Sequence, residues 1–263
     1  MGWRTWMILA VSLVPSTVQA KLELSNIQAA YGPLWPERRT LDYYPPDDLI
    51  FFRFSVTGLK TREENHLDLE ITATLADSRG KVVLAHTMPG GGPFTLIGGA
   101  QTLWAVLPIQ SALSPGEYTF NVTLTDNIAN KRVTFERKVR LRPPEFAVRA
   151  VEFFFDSEMR IPAPCRVQVG QTLYHRIKVS GENPHMEVHQ KLEIIDYETK
   201  VAVPKPWEAT IKGDEVMLGL GAAFQGNTGM LTRAGRFILR CTLTDSIAKK
   251  TLTFEVPLHV MSP

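Results

Sequence analysis

The stretch Gly116–Leu141, GEYTFNVTLTDNIANKRVTFERKVRL, occurs twice in this chain. It returns at Gly235–Val260 as GRFILRCTLTDSIAKKTLTFEVPLHV, at the same length and without a gap. Eleven of the 26 positions are identical, including TLTD-x-IA-x-K and a later TFE. Self-similarity at one offset, here 119 residues, signals two copies of one structural unit. Within the first copy Tyr118, Phe120, Val122 and Leu124 alternate with Thr119, Asn121 and Thr123; in the second, Phe237, Leu239, Cys241 and Leu243 take the same places. Period-two alternation puts one set on a buried face and the other towards solvent. Asp126-Asn127 and Asp245-Ser246 open the connection, since such side chains hydrogen-bond their own turn backbone. Lys131–Val139 and Lys250–Leu258 then run back. Each copy therefore predicts a β-hairpin with one wet face, and a lone hairpin is marginal in water. It needs a second sheet.

The segments ahead of each hairpin repeat the same order. In the first half Leu22–Tyr31, Leu49–Thr57, Leu67–Leu75, Lys81–Leu84 and Leu103–Ile109 read as strands, separated by Gly58, Asp77-Ser78-Arg79-Gly80, Gly90-Gly91-Gly92-Pro93 and Ser114-Pro115-Gly116. In the second half Val148–Phe155 comes first. Gly170–Gly181 answers the strand ending at Gly58, with Arg53, Val56 and Gly58 matched by Arg176, Val179 and Gly181. Ile194–Val203 answers Leu75–Leu84, and Glu215–Phe224 answers Leu96–Ala105. Between the halves lies Arg142-Pro143-Pro144-Glu145, where proline stops strands and helices alike. About seven short strands per half, with turn signals between them and no helix-period segment, predict an all-β chain. Strands at this spacing argue for a β-sandwich or barrel; their count and length, and the aromatic–x–Val/Cys strand after Gly116 or Gly235, look like two tandem immunoglobulin-like β-sandwiches at 21–141 and 146–263, joined by a Pro-rich linker at 142–145.

Composition narrows the setting. Residues 21–141 carry 13 basic and 13 acidic side chains, and residues 146–263 carry 14 and 13. Neither half has the basic excess of a nucleic-acid footprint, so no nucleic-acid partner is expected. Residues 1–20 read as a signal peptide: Arg4 at the start, a short apolar run Trp6–Val14, the break Pro15-Ser16, and small residues at Val18-Gln19-Ala20. Cleavage is expected after Ala20, leaving no transmembrane span, because so short a run cannot cross a bilayer that needs roughly 20 apolar residues. The expected location is secreted or periplasmic, at the cell envelope.

The turn Asp77–Val83 (D-x-x-G-K-V-V) and the strand Pro115–Asp126 (P-G-E-Y-T-x-x-V-T-x-T-D) resemble those of bacterial exported proteins built from tandem immunoglobulin-like, or fibronectin-III-like, modules. The resemblance covers nearly all of the chain after residue 20. It implies a β-sandwich architecture and roles as varied as adhesion, spacing and carbohydrate display. The second half departs from the pattern with Glu198-Thr199 before Lys200 in place of the glycine, and with Arg236 in place of Glu117.

Candidate sites are few. Cys165 and Cys241 both lie in the second half, and the first half has no cysteine. In an exported chain such joint absence suits a disulfide between the two, worth roughly 4 kcal/mol; otherwise Cys241 is a small buried hydrophobe and Cys165 a loop thiol. His185-Met186-Glu187-Val188-His189 has metal-like spacing on a helix. It leads into a strand, however, where residues four apart stand ~13 Å from each other, so no metal is expected. The recurrent aspartates Asp77/Asp196 and Asp126/Asp245 read as turn chemistry, and the glycine runs open no helix that would cradle a phosphate. No nucleophile or carboxylate pair is selected, so the chain reads as non-enzymatic, with no cofactor. Trp35, Tyr43, Tyr44, Trp104 and Trp207 lie in or near the less regular stretches. Aromatics placed there either cap the sandwich cores or anchor a ligand, and Trp35, Trp104 and Trp207 are the stacking candidates. The function expected from sequence is a structural or protein-interaction module at the envelope or outside the cell. The alternative is a carbohydrate-binding module using loop aromatics, so the partner would be a protein or a polysaccharide.

Overall fold

The structure is a computed structural model that describes residues 21–45, 48–62, 66–93, 100–110, 112–143, 145–181, 186–202, 207–212 and 223–263. The chain is all-β, with no helix among the described residues. The first half supplies β1 (Glu23–Ala29), β2 (Asp42–Tyr43), β3 (Leu49–Thr57), β4 (His66–Ala76), β5 (Val82–Pro93), β6 (Ala100–Pro108), β7 (Gly116–Asp126) and β8 (Lys131–Leu141). These form a three-stranded sheet, β1-β3-β6, and a five-stranded one, β2-β8-β7-β4-β5. The second half supplies β9 (Ala147–Phe154), β10 (Arg166–Gln168), β11 (Thr172–Ser180), β12 (Glu187–Asp196), β13 (Trp207–Lys212), β14 (Ala223–Met230), β15 (Gly235–Asp245) and β16 (Lys250–Met261). They repeat the plan as β9-β11-β14 and β10-β16-β15-β12-β13.

The repeated stretch is the hairpin β7–β8 in one half and β15–β16 in the other. Each is antiparallel and in register from end to end, Gly116 opposite Leu141 and Gly235 opposite Val260. Its turn is held as the aspartates suggest. Asp126 accepts from the Ile128 and Ala129 amides at 3.0 Å each, and Asp245 from Ile247 and Ala248 at 2.9 and 3.2 Å. The inward residues of the alternating strands build one buried cluster from residues 22–141 and another from residues 146–260. Sheets that enclose such clusters are consistent with a β-sandwich.

Two short elements escape the sequence pattern. β2 and β10, two and three residues long, pair in parallel with the ends of β8 and β16. At that length a strand has no periodicity to read. Strand placement also differs around β13: it begins at Trp207 and pairs with β12, beyond the Lys200–Val203 stretch expected to run back. Of the stretch Glu215–Phe224 that answers Leu96–Ala105, residues 215–222 lie outside the described residues, and β14 begins at Ala223.

Candidate functional site

Residues 30–41, between β1 and β2, cross from the first half onto the second. Their anchor is ionic. Arg38 donates to both oxygens of Asp48 at 3.0 and 2.8 Å, with both side chains almost fully buried. Asp48 also accepts from the Tyr44 and Leu49 amides at 2.9 and 2.8 Å. The Arg38 guanidinium lies 4.1 Å from the Tyr43 ring centroid and 5.3 Å from that of Tyr31. Burial works against its charge, but the adjacent Asp48 carboxylate holds the pKa above its ordinary value. So buried a pair persists because every lone pair around it has a donor.

From this anchor Trp35 reaches into the second half. Its Nε1 donates to the Phe153 carbonyl at 3.2 Å, its ring meets that of Phe154 at 6.1 Å, and with Tyr31 it packs on the second core. Gly32 makes room for this: a Cβ there would stand 2.1 Å from the Trp35 ring. The Pro-rich connection is tied down as well. Tyr44 donates to Glu145 at 3.1 Å, Ser180 to the Glu145 carbonyl at 2.9 Å, and Arg142 to Asp42 at 3.2 Å. Burial and the Glu145 carboxylate push the Tyr44 phenol up to about 12.

Between the crossing segment, the outer face of β3 and the β10–β16 edge lies a groove of about 790 Å³. Leu34, Pro36, Pro164, Val256 and Pro257 give it apolar walls, Glu37, Arg39, Arg53, Arg166 and Glu255 give it charge, and His259 also lines it. Glu255 is engaged by Arg240 at 2.8 Å, and its carbonyl accepts from Arg39 at 3.2 Å. The Arg53 Nε is buried without a hydrogen-bond partner, while its Nη1 donates to the Pro33 carbonyl at 3.3 Å.

The cysteines fall on this map separately. Both are free thiols. Cys165 lines the groove, its carbonyl accepting from the His259 amide at 3.0 Å, and Cys241 sits in the second core. Register corrects the expected disulfide. Arg166 pairs with His259, so Cys165 lies beside Leu258, which is opposite Phe237. Cys241 is four residues further along β15, ~13 Å away, whereas a disulfide needs Cα atoms within about 7 Å. Burial pushes both thiols up to about 12, against a small opposing pull from Arg53 on Cys165 and from Gln190 on Cys241.

The aromatics divide likewise. Trp35 spends its ring on Phe154 and the second core, and Tyr43 is fully buried. Trp104, on the edge strand β6 opposite Arg53, is 45% exposed. Trp207 begins β13, and its side chain lies outside the described residues. His185 also lies outside them; His189 is on β12, 4.0 Å from Glu208. Among the described residues no group of three or more His, Cys, Asp and Glu converges, and no helix is long and apolar enough to cross a membrane. The groove is the feature that sequence reasoning missed. Its charged residues are scattered from Glu37 to Glu255, and the one available signal was Arg53, the single charged residue of the strand LIFFRFSVT.

The sheets define an all-β protein. No family model matches the chain, and no curated protein matches it. Among solved structures it is similar to red sea bream transglutaminase, with 12% identity, a TM-score of 0.28 and coverage of 93% of this chain. The chain spans 32% of that protein's length. That neighbour is an enzyme, and the expectation that the chain is not one is not carried further. A likeness this weak carries no argument for a reaction.

Proposed function

We propose that the chain is a tandem immunoglobulin-like protein that acts as a structural or protein-interaction module at the cell envelope or in the extracellular space. The observation that carries this reading is the junction. A buried ion pair, a tryptophan and the tied connection hold the two halves in one arrangement and create a surface that neither half has alone. A fixed compound surface presents its contact groups without the entropy cost of ordering them on binding. The signal-like first 20 residues support the location. The test is capture from the producing cell's envelope fraction with Lys21–Pro263 as bait, followed by reconstitution with the purified partner. A protein bound at equal stoichiometry in both steps supports the reading; a bait that returns nothing removes it.

One observation favours the carbohydrate alternative: Trp104 keeps nearly half its surface open beside Arg53, and a flat ring next to a donor suits a sugar face. A glycan array read with Trp104→Ala separates the two. Glycan retention that is lost with the ring selects the sugar reading.

A further inference from the structure

Arg53 and Arg176 occupy the same place in the two halves, and their surroundings differ. Arg176 on β11 is opposite Glu152 on β9; its Nε donates to that carboxylate, to which Lys178 also donates at 2.9 Å. Glu152 is 5% exposed, so the second half neutralises its strand arginine on its own sheet. In the first half the residue opposite Arg53 on β1 is Gln28, and the residue on β6 is Trp104. Neither of these is a carboxylate. Arg53 instead faces the groove, and its Nε remains buried and unpartnered.

Two more guanidiniums reach the same space from different elements, Arg39 from the crossing segment and Arg166 from β10. Arg166 is exposed. Against them stands Glu37, since Glu255 is already held by Arg240. The groove therefore carries a cationic surplus in walls of leucine, valine and proline. A planar guanidinium fork fits a carboxylate, and partial burial strengthens the pair.

The geometry points to a recognition site for an acidic peptide segment of a partner protein, with Arg53 and Arg166 taking its carboxylates and Leu34, Pro36 and Pro257 taking a neighbouring aliphatic side chain. This deepens the interaction-module reading and rests on it. The aliphatic walls, and the spent ring of Trp35, favour peptide over sugar.

The test is titration of the chain after residue 20 with a fluorescent peptide of alternating glutamate and leucine, at low and at 300 mM salt. It is compared with the same peptide carrying glutamine for glutamate and with oligogalacturonate of equal charge. Arg166→Glu is the groove variant. Arg79→Glu, on the exposed β4–β5 turn, makes the same change of net charge far from it. Binding of the acidic peptide that falls at least tenfold in Arg166→Glu and less than twofold in Arg79→Glu is the expected result. Equal losses in both variants, equal binding of the glutamine peptide, tighter binding of oligogalacturonate, or no binding each overturn the site. A protein captured from the envelope and still held by Arg166→Glu would remove this site while leaving the interaction module standing.

Discussion

The two halves have the same strand order and the same hairpin register, yet they fill their cores with different chemistry. In the first, Phe52 stacks on Phe120 at 5.1 Å, and Phe135 stands edge-on to Phe52 and Phe54 at 5.8 and 5.5 Å. In the second, His175 stands where Phe52 stood, Gln190 where Ile71 stood, Leu239 for Phe120 and Cys241 for Val122. His175 and Gln190 are fully buried. Gln190 donates to the Cys241 sulfur at 3.4 Å, and its Oε1 has no hydrogen-bond partner. Backbone pairing and the in–out alternation therefore hold one architecture over two cores, one aromatic and the other partly polar. Aromatic pairs add to burial in the first half; a buried polar atom without a partner costs about 1–3 kcal/mol in either half, as at Gln190 Oε1 in the second and Tyr43 Oη in the first. The second half should be the weaker one, and it leans on the first through Trp35.

The largest break in the comparison is at the Arg38–Asp48 anchor of the first half. Asp48→Ala leaves the Arg38 charge buried and unpaired, a loss of about 3–5 kcal/mol. Chemical denaturation should show it in the first half, together with release of Trp35 seen as a change in tryptophan emission. An unchanged midpoint would mean that water reaches Arg38. Trp35→Ala should cost about 3 kcal/mol and fall on the second half, although the residue belongs to the first. Gly32→Ala should reproduce much of that loss without touching the ring, because the added methyl displaces it. If both variants leave the second half unaltered, its core closes without the cap.

Acid sharpens the contrast. Burial pushes the His175 pKa down to about 4. The unfolded chain takes up that proton near pH 6.5 and the folded chain only near 4, so the unfolded state binds more protons in between and stability falls as pH drops. Between pH 7 and pH 4 the loss is on the order of 3 kcal/mol, confined to the second half, since Phe52 does not titrate. Measured as unfolding free energy against pH, this slope should disappear in His175→Phe whatever that variant's absolute stability. A slope that persists would assign it to carboxylates.

Much of this was legible in the sequence. The alternation in Tyr118–Leu124 and its repeat at Phe237–Leu243 announce strands with one wet face, because period two is a local property. The turns at Asp126 and Asp245 were legible for the same reason. The groove was not. Arg39, Arg53 and Arg166 meet only after the chain has crossed between halves, and no spacing rule encodes that meeting. Nor was the separation of Cys165 from Cys241, which depends on the parallel register of β10, a strand of three residues.

Restoring first-half residues one at a time tests whether the polar core is what weakens the second. Gln190→Ile puts in the residue found at position 71 and removes the unpartnered oxygen, so stability should rise by about 1–2 kcal/mol. A fall would mean that the contact with Cys241 outweighs it. The smallest effect lies in the hairpin turns. Asn130 and Lys249 hold the same place, 119 residues apart, and both adopt a left-handed backbone, at φ 50 and φ 53. Asparagine tolerates that region because its short side chain bonds locally, whereas lysine gains nothing from it. Lys249→Asn should therefore stabilise the second half by roughly 0.5 kcal/mol, about 2 °C in its melting temperature. Asn130→Lys should cost the first half as much. If the two exchanges do not move in opposite directions, the two turns are not equivalent despite their shared register.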